Sequence, residues 1–361
     1  MRTSGVVFAA LSTLGLIFEP SQAKTTPEVL LPHPRGYVAY RASAALTVDG
    51  KLDESAWRDA PWTDAFVDIE GDAKPRPQFN TRAKMLWDDE YFYVGAQIDE
   101  PHVWATLTDH DSVIFRDPDF EVFIDPNGDN HEYYEFEINA RNAFWDLLLP
   151  KPYKDDGKPV NSWEIPGLKS AVSVDGTLND PRDTDRGWSV ELAFPWRVLS
   201  ELARRKTPPV ASDQWRVNFS RVEWPIEIVN GAYRKSAGAR EHNWVWSPQH
   251  VVDMHRPETW GYVQFSTTTP GTTRFIPDLT WPARQWLQQV YYAQRAYRKA
   301  NGRFANSVQE LGISLAGHPE LLNPGLKTAG SLFEAWIEVK ADGGPVRLSI
   351  RQDSLITYGV R

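Results

Sequence analysis

The stretch from Asp119 to Leu149, DFEVFIDPNGDNHEYYEFEINARNAFWDLLL, constrains the fold more tightly than any other part of the chain, because two runs within it alternate with a period of two. In the first run Phe120, Val122 and Ile124 point one way, and Asp119, Glu121, Phe123 and Asp125 the other. In the second, Tyr134, Phe136 and Ile138 make an apolar face, leaving Tyr133, Glu135, Glu137 and Asn139 opposite. The intervening PNGDNHE reads as a hairpin connection. With that connection centred on Asp129, Glu121 lies across from Glu137, and Phe123 across from Glu135. Like charges directly opposed on neighbouring strands destabilise a sheet by up to roughly 1 kcal/mol. A cation, a shared proton or a hydroxyl-rich ligand would each offset that repulsion.

The same grammar runs from residue 37 to 265. TRAKMLWDDEYFYVGAQIDEP holds two strands around an acidic turn at Asp88 to Glu90. In GWSVELAFPWRVLSEL, Trp188, Val190, Leu192 and Phe194 form an inner face before Pro195 opens a short helix. Many short strands without alternating long helices predict an all-β antiparallel sandwich over residues 37–266. Residues 267–282, TTTPGTTRFIPDLTWP, read as a linker. Beyond it, Trp286, Leu287, Val290, Ala293 and Tyr297 recur at helical spacing. Ser307 and Glu310 match a capping box near a second short helix, and DGG between SLFEAWIEV and PVRLSI signals a hairpin. Residues 283–361 are thus expected to form a small C-terminal α+β appendage.

The N-terminus carries one Arg, an apolar stretch from Gly5 to Phe18 and then Ser21-Gln22-Ala23, the pattern of an export signal cleaved after Ala23. Its apolar run falls short of the ~20 residues that span a bilayer, so no membrane span is expected in the mature form, and the expected location is secreted or periplasmic. The chain has no Cys, which excludes a disulfide framework, a lipoprotein thiol and a cysteine nucleophile. A formal charge of -9 argues against a nucleic-acid partner. Sixteen Trp, thirteen Tyr and sixteen Phe suit an aromatic-packed core with some rings left as ligand platforms. The His residues show no HExxH or comparable metal-ligand spacing, and no GxSxG turn occurs.

Six stretches in order, VDGKLDESAW (48–57), residues 81–101, residues 119–146, GWSVELAFPWRVL (187–199), WRVNFSRVEW (215–224) and HRPETWGYVQF (255–265), resemble the carbohydrate-binding module family 9 and its bacterial family 9-like relatives. The resemblance implies a non-catalytic sandwich that binds a polysaccharide or oligosaccharide, is often attached to glycoside hydrolases, and often carries structural calcium. It maps the family's ligand cleft onto Glu121, Glu135, Glu137 and Asn139, and places Phe115 and Met254 where family members clamp a sugar between two Trp rings. Glu137 stands where those members have an Arg. VYYAQRAYRKANGRFANSVQELG in the appendage is similar to the soluble region of type IV pilin-like proteins.

Phe123 and Trp145 complete the candidate ligand face, on which carboxylates would take vicinal hydroxyls while rings cover the apolar sugar face. Candidate ligands for the implied calcium are Asp99, Asp117 and Asp119; no other cofactor is required. Two alternatives remain open. Glu121 and Glu137 have the roughly 5 Å Cβ separation compatible with a retaining glycoside hydrolase; the other alternative is an envelope protein whose sandwich is a scaffold without sugar binding.

Overall fold

The structure is a computed structural model that describes residues 31–44 and 46–359; the export signal expected over residues 1–23 lies outside them. The alternating runs form strands: β1 (Gly36–Arg41), β2 (Val67–Asp68), β3 (Thr81–Trp87), β4 (Tyr91–Asp99), β5 (Asp119–Asp125), β6 (Tyr133–Asn139), β7 (Phe144–Leu149), β8 (Lys169–Asp175), β9 (Gly187–Pro195), β10 (Gln214–Glu223), β11 (Ile226–Val229), β12 (Ala232–Lys235), β13 (His242–Val245) and β14 (Gly261–Ser266). Ten of them follow the order β7-β6-β5-β10-β14-β1-β3-β4-β9-β8. Strand β13 pairs with β10, β2 pairs with β13, and β11 and β12 make a separate hairpin.

This sheet curls so that its halves share one core. Phe120, Val122, Phe136 and Ile138 from one side meet Val94, Val190, Leu192 and Phe194 from the other, with Phe136 and Phe194 in edge contact at 5.4 Å. The fold is therefore the expected β-sandwich. Its one parallel element is β1, which runs alongside both β14 and β3. A tight hairpin can join only antiparallel strands; β1 is reached by no hairpin, and so fills the gap between the halves in the parallel sense.

Most Trp residues are core. Trp57, Trp87, Trp215, Trp246 and Trp260 are fully buried, and three of them donate their indole N–H: Trp57 to Glu191 (2.9 Å), Trp87 to the Ala39 carbonyl (3.0 Å) and Trp260 to the Met254 carbonyl (2.9 Å). Helix α1 (Ser55–Asp59) delivers Trp57 against β4, where Gly95 permits the approach; a Cβ there would lie 2.6 Å from Leu52 and 3.3 Å from Trp57. Helix α2 (Trp196–Ala203) starts directly after Pro195, as the proline predicts.

Helix α3 (Trp281–Asn301) ends at Gly302, whose left-handed backbone returns its N–H to the Arg298 carbonyl. It packs Trp286, Leu287, Val290 and Tyr291 onto a second sheet of β15 (Leu321–Ala329), β16 (Leu332–Val339), β17 (Val346–Arg351) and β18 (Ile356–Tyr358). The helix expected near NSVQEL is a single 3-10 turn, Gln309–Leu311, in which the Ser307 hydroxyl accepts the Glu310 N–H at 3.3 Å. The Thr- and Pro-rich stretch before α3 is tied to the sandwich: Ile276 N–H donates to Gln264 (2.8 Å) and Tyr40 O–H to the Thr273 carbonyl (3.2 Å). Further on, buried Asp155 accepts from Arg295 (3.0 Å) and Ser354 (2.6 Å), and Arg284 donates to the Gly128 carbonyl (2.7 Å). Among the described residues no helix is long and apolar enough to cross a membrane.

The VDGKLDESAW segment depends on one buried acid. Glu191 accepts N–H bonds from Asp49 (2.9 Å), Gly50 (3.2 Å) and Trp57 Nε1 (2.9 Å). Glu191→Ala would leave these donors unpaired and should lower unfolding free energy by about 2–3 kcal/mol. Urea denaturation followed by Trp fluorescence checks this; an unchanged midpoint contradicts it.

Candidate functional site

The hairpin register is the one expected: Glu121 pairs with Glu137, Phe123 with Glu135 and Asp119 with Asn139. On the flanks, β10 sets Ser220 opposite Glu121, and β7 sets Trp145 opposite Glu137. With Phe120, Val122 and Ile124 turned into the main core, period two sends Asp119, Glu121, Glu135 and Glu137 together to the other face. One oxygen from each of Asp119, Glu121 and Glu137 lies within 4.8 Å of the others.

That face differs from the expected open one. All four carboxylate residues are at most 5% exposed, because neighbouring segments fold over them. The Phe115 N–H donates to Glu137 Oε2 (2.9 Å), and Phe123, Tyr133 and Trp260 form a buried aromatic cluster alongside, against which Trp145 and Met254 pack. A hairpin register can be read from alternation. The loops that roof a strand face cannot, since they come from distant sequence.

No Lys or Arg forms an ion pair with these four acids among the described residues. Their nearest basic group is His255, with Nε2 3.8 Å from Glu135 Oε1; burial pushes this imidazole down to about 3, leaving it neutral. Burial pushes the Glu121 carboxyl up to about 7. The carboxyls of Asp119, Glu135 and Glu137 are raised as well, by burial first and then by the neighbouring Glu121 charge. Asp119 Oδ2, Glu121 Oε2, Glu135 Oε2 and Ser220 Oγ have no hydrogen-bond partner among the described residues.

The remaining candidates divide by what they already hold. Asn139 is committed to structure: its amide donates to the Leu107 carbonyl and to Asp117, and its oxygen accepts the Arg141 and Ala143 N–H groups. Phe123 is buried between His255 and Trp260, and so is core instead of platform. Phe115 is 39% exposed. Trp145 and Met254 are partly buried at the border of the aromatic cluster, with the Met254 sulfur 3.0 Å from Gln249 Nε2.

Among the calcium candidates, Asp117 is saturated by the Thr106 N–H and O–H, the Leu107 N–H and Asn139. Asp99 lends its main-chain carbonyl to Arg221 (2.9 Å). Only Asp119 joins the acid cluster. A second grouping, His110, Asp146 and Glu164, has its buried member satisfied on both oxygens, by His110 and by the Ile165 N–H.

Two border rings escape sequence reasoning. Tyr153 is 42% exposed, and its ring stacks edgewise on His255 at 4.3 Å. Burial and the carboxyls of Glu135 and Glu137 push its phenol up to about 12. Trp224 donates its indole N–H to the Phe115 carbonyl (3.0 Å), fixing that loop. Trp224 directly follows β10, and Tyr153 opens a single 3-10 turn, Tyr153–Asp155, with no periodic signal.

The chain is thus a curled β-sandwich with Phe115 and Tyr153 exposed near a sunken polar patch on one sheet face. The chain belongs to the family described as carbohydrate family 9 binding domain-like, which it matches over residues 48–267. It is 29% identical over 177 residues to the exoglucanase XynX of Acetivibrio thermocellus, covering 48% of this chain and 14% of that enzyme. With endo-1,4-beta-xylanase A of Thermoanaerobacterium saccharolyticum it shares 31% identity over 117 residues, 32% of this chain and 8% of the enzyme. The chain thus spans a small fraction of the length of these curated relatives. Among solved structures, a family 9 carbohydrate-binding module from Caldicellulosiruptor kristjanssonii in complex with cellotriose aligns with 68% of this chain and 100% of its own, at 14% identity and a TM-score of 0.40.

Asp117 is positioned as a structural hub under the Phe115 loop. Asp117→Ala should cost more than about 2 kcal/mol of stability, since it strands several buried donors, and the loss should be the same with calcium or with chelator present. Thermal melts in both conditions test this; a loss seen only with calcium would make Asp117 a metal ligand instead.

Proposed function

We propose that the protein binds a polysaccharide or oligosaccharide on the face of β5, β6 and β7, without acting on it. The observation that carries this reading is the set of rings, Phe115 and Tyr153 exposed and Trp145 partly so, that with the Met254 side chain border carboxylates on one sheet face. Rings of this kind cover the apolar face of a pyranose, while the buried acids hold the border from beneath, Glu137 through the Phe115 N–H. Of the acids, Glu137 and Glu135 lie nearest the border, through Phe115 and Tyr153. Family membership and the names of the curated relatives make glucan and xylan the first ligands to test. Export of the chain to the periplasm or medium, and work beside polysaccharide-degrading enzymes, complete the proposal; the N-terminal leader sequence and the same relatives support them.

Hydrolysis by Glu121 and Glu137 requires a glycosidic bond to lie between the two carboxyls. Both side chains are buried and face each other across adjacent strands with oxygens within 4.8 Å, so a glycosidic bond has no open place between them. Affinity electrophoresis through gels containing glucan or xylan tests the proposal. Retardation is expected, and Phe115→Ala with Tyr153→Ala should weaken it about tenfold, equivalent to roughly 1.4 kcal/mol. Lack of retardation on any glycan, or retention unchanged in the double variant, would defeat it.

A further inference from the structure

We propose that the hollow bounded by β10, the β5–β6 turn and α3 binds an oxyanion on the guanidinium groups of Arg216 and Arg284. The oxyanion is inorganic phosphate or the carboxylate of an acidic sugar, and the inference is independent of the ring-bordered face.

A buried charge without a counter-charge is the first reason. Arg216 on β10 is 3% exposed, yet it forms no ion pair among the described residues. It donates from Nε (3.1 Å) and Nη2 (2.6 Å) to the Trp260 carbonyl, from Nη2 to the Glu258 carbonyl (3.0 Å) and from Nη1 to the Tyr262 hydroxyl (2.8 Å). The Tyr262 ring lies 4.0 Å from its guanidinium carbon. All these partners are neutral. Asp125, its register partner on β5, accepts instead from the Gly128 (2.8 Å) and Asn130 (3.0 Å) N–H groups, and burial pushes that carboxyl up to about 7. Unpaired charge in low dielectric is costly. Burial, reinforced by the Arg284 charge, accordingly holds the Arg216 guanidinium below its ordinary value.

Unspent donors around one hollow are the second reason. Arg284 on α3 gives one bond each to Thr280 Oγ1 (3.3 Å), the Gly128 carbonyl (2.7 Å) and the Tyr358 hydroxyl (2.6 Å). A guanidinium carries five N–H groups, so Arg284 keeps one on Nη1 and one on Nη2, and Arg216 one on Nη1. Tyr358 accepts from Arg284 and donates to nothing among the described residues. Gly128 holds the two arginines to one place: its φ is +68°, and a Cβ on it would lie 3.3 Å from Arg216 Cγ and 3.6 Å from Arg284 Nη2.

These groups, with Arg205 on the rim, line a hollow of about 240 Å³; each water of the liquid takes about 30 Å³, so a small oxyanion fits. Two acids also line it. Asp278 is already satisfied by Arg284 (3.2 Å), Tyr262 (3.0 Å) and Thr280 (2.7 Å), and Asp213 accepts the Val210 N–H (2.9 Å). Three arginines against two carboxylates leave the hollow positive. Guanidinium forks match the paired oxygens of carboxylates and phosphates. Such an occupant touches Arg216 of the sandwich and Arg284 and Tyr358 of the appendage together, so its binding also stabilises their docking.

The test uses the full chain in chloride buffer at constant ionic strength, titrated separately with inorganic phosphate and with glucuronate in a calorimeter. Wild type should bind one anion per chain, and Arg205→Gln with Tyr358→Phe, both exposed positions, should weaken that binding roughly tenfold. Either change alone should weaken it less, and Arg284→Gln, where it folds, should abolish it. The bound anion should raise the Tm of wild type more than that of the double variant. Binding of phosphate alone makes this a site for a free ion, and binding of glucuronate alone, lost in the double variant, a site for an acidic sugar; both outcomes support the proposal. Saturable binding of neither anion, or equal binding by wild type and the double variant, overturns it and leaves Arg216 and Arg284 as struts between sandwich and appendage.

Discussion

Four buried carboxyl groups without a basic ion-pair partner, set together by β5 and β6, are the constraint around which this face is organised. The pairing of Glu121 with Glu137 is fixed by the apolar side of the same hairpin: shifting register by one residue would send Phe120, Val122 and Phe136 out of the core and the acids into it. Burial of those side chains contributes roughly 1.5–3 kcal/mol apiece, far more than the repulsion of one opposed acid pair. The core therefore dictates the register, and the carboxylates must be accommodated by whatever lies on the far side.

What lies there comes from elsewhere in the chain. Phe115 precedes β5, Tyr153 follows β7, Trp224 follows β10, and His255 and Trp260 precede β14. These segments meet because β10 sits between β5 and β14 in the sheet order. Asp117 and Asn139 then fasten the Phe115 loop by hydrogen bonds that leave neither side chain free. The candidate face is thus held by strand pairing below and by side-chain caps above.

Legibility in the sequence followed the same division. Alternation disclosed β5, β6 and β9 and the cross-strand partners, because period two is a local property of the chain. Pro195 and Gly302 marked helix ends for equally local reasons. Burial of the acids was not legible, since alternation assigns a residue to a side of a sheet without saying what covers that side. Asn139 looked like a ligand residue because Asn on a polar strand face and Asn in a tight turn are indistinguishable until the turn at 140–143 is seen. Tyr153 gave no periodic signal at all. The linker expected over residues 267–282 was plausible from composition, yet Phe275 and Ile276 are held on the sandwich by contacts that composition does not encode.

The sunken position of the acids bears on how recognition and stability divide. A carboxylate exposed on a strand would be mobile and fully hydrated, and would lose both on meeting a sugar hydroxyl. Here Glu137 is already fixed by the Phe115 N–H, in a loop that Trp224 also anchors. The bond fixes the Phe115 main chain to the buried acid, so a ligand stacking on the ring meets a backbone whose position is settled beforehand. Such preorganisation lowers the entropic cost of binding, and it requires something beneath the sheet face to hold the remaining charges in place. The floor of the face and its ring border form one mechanical unit, with β5 and β6 as the shared member.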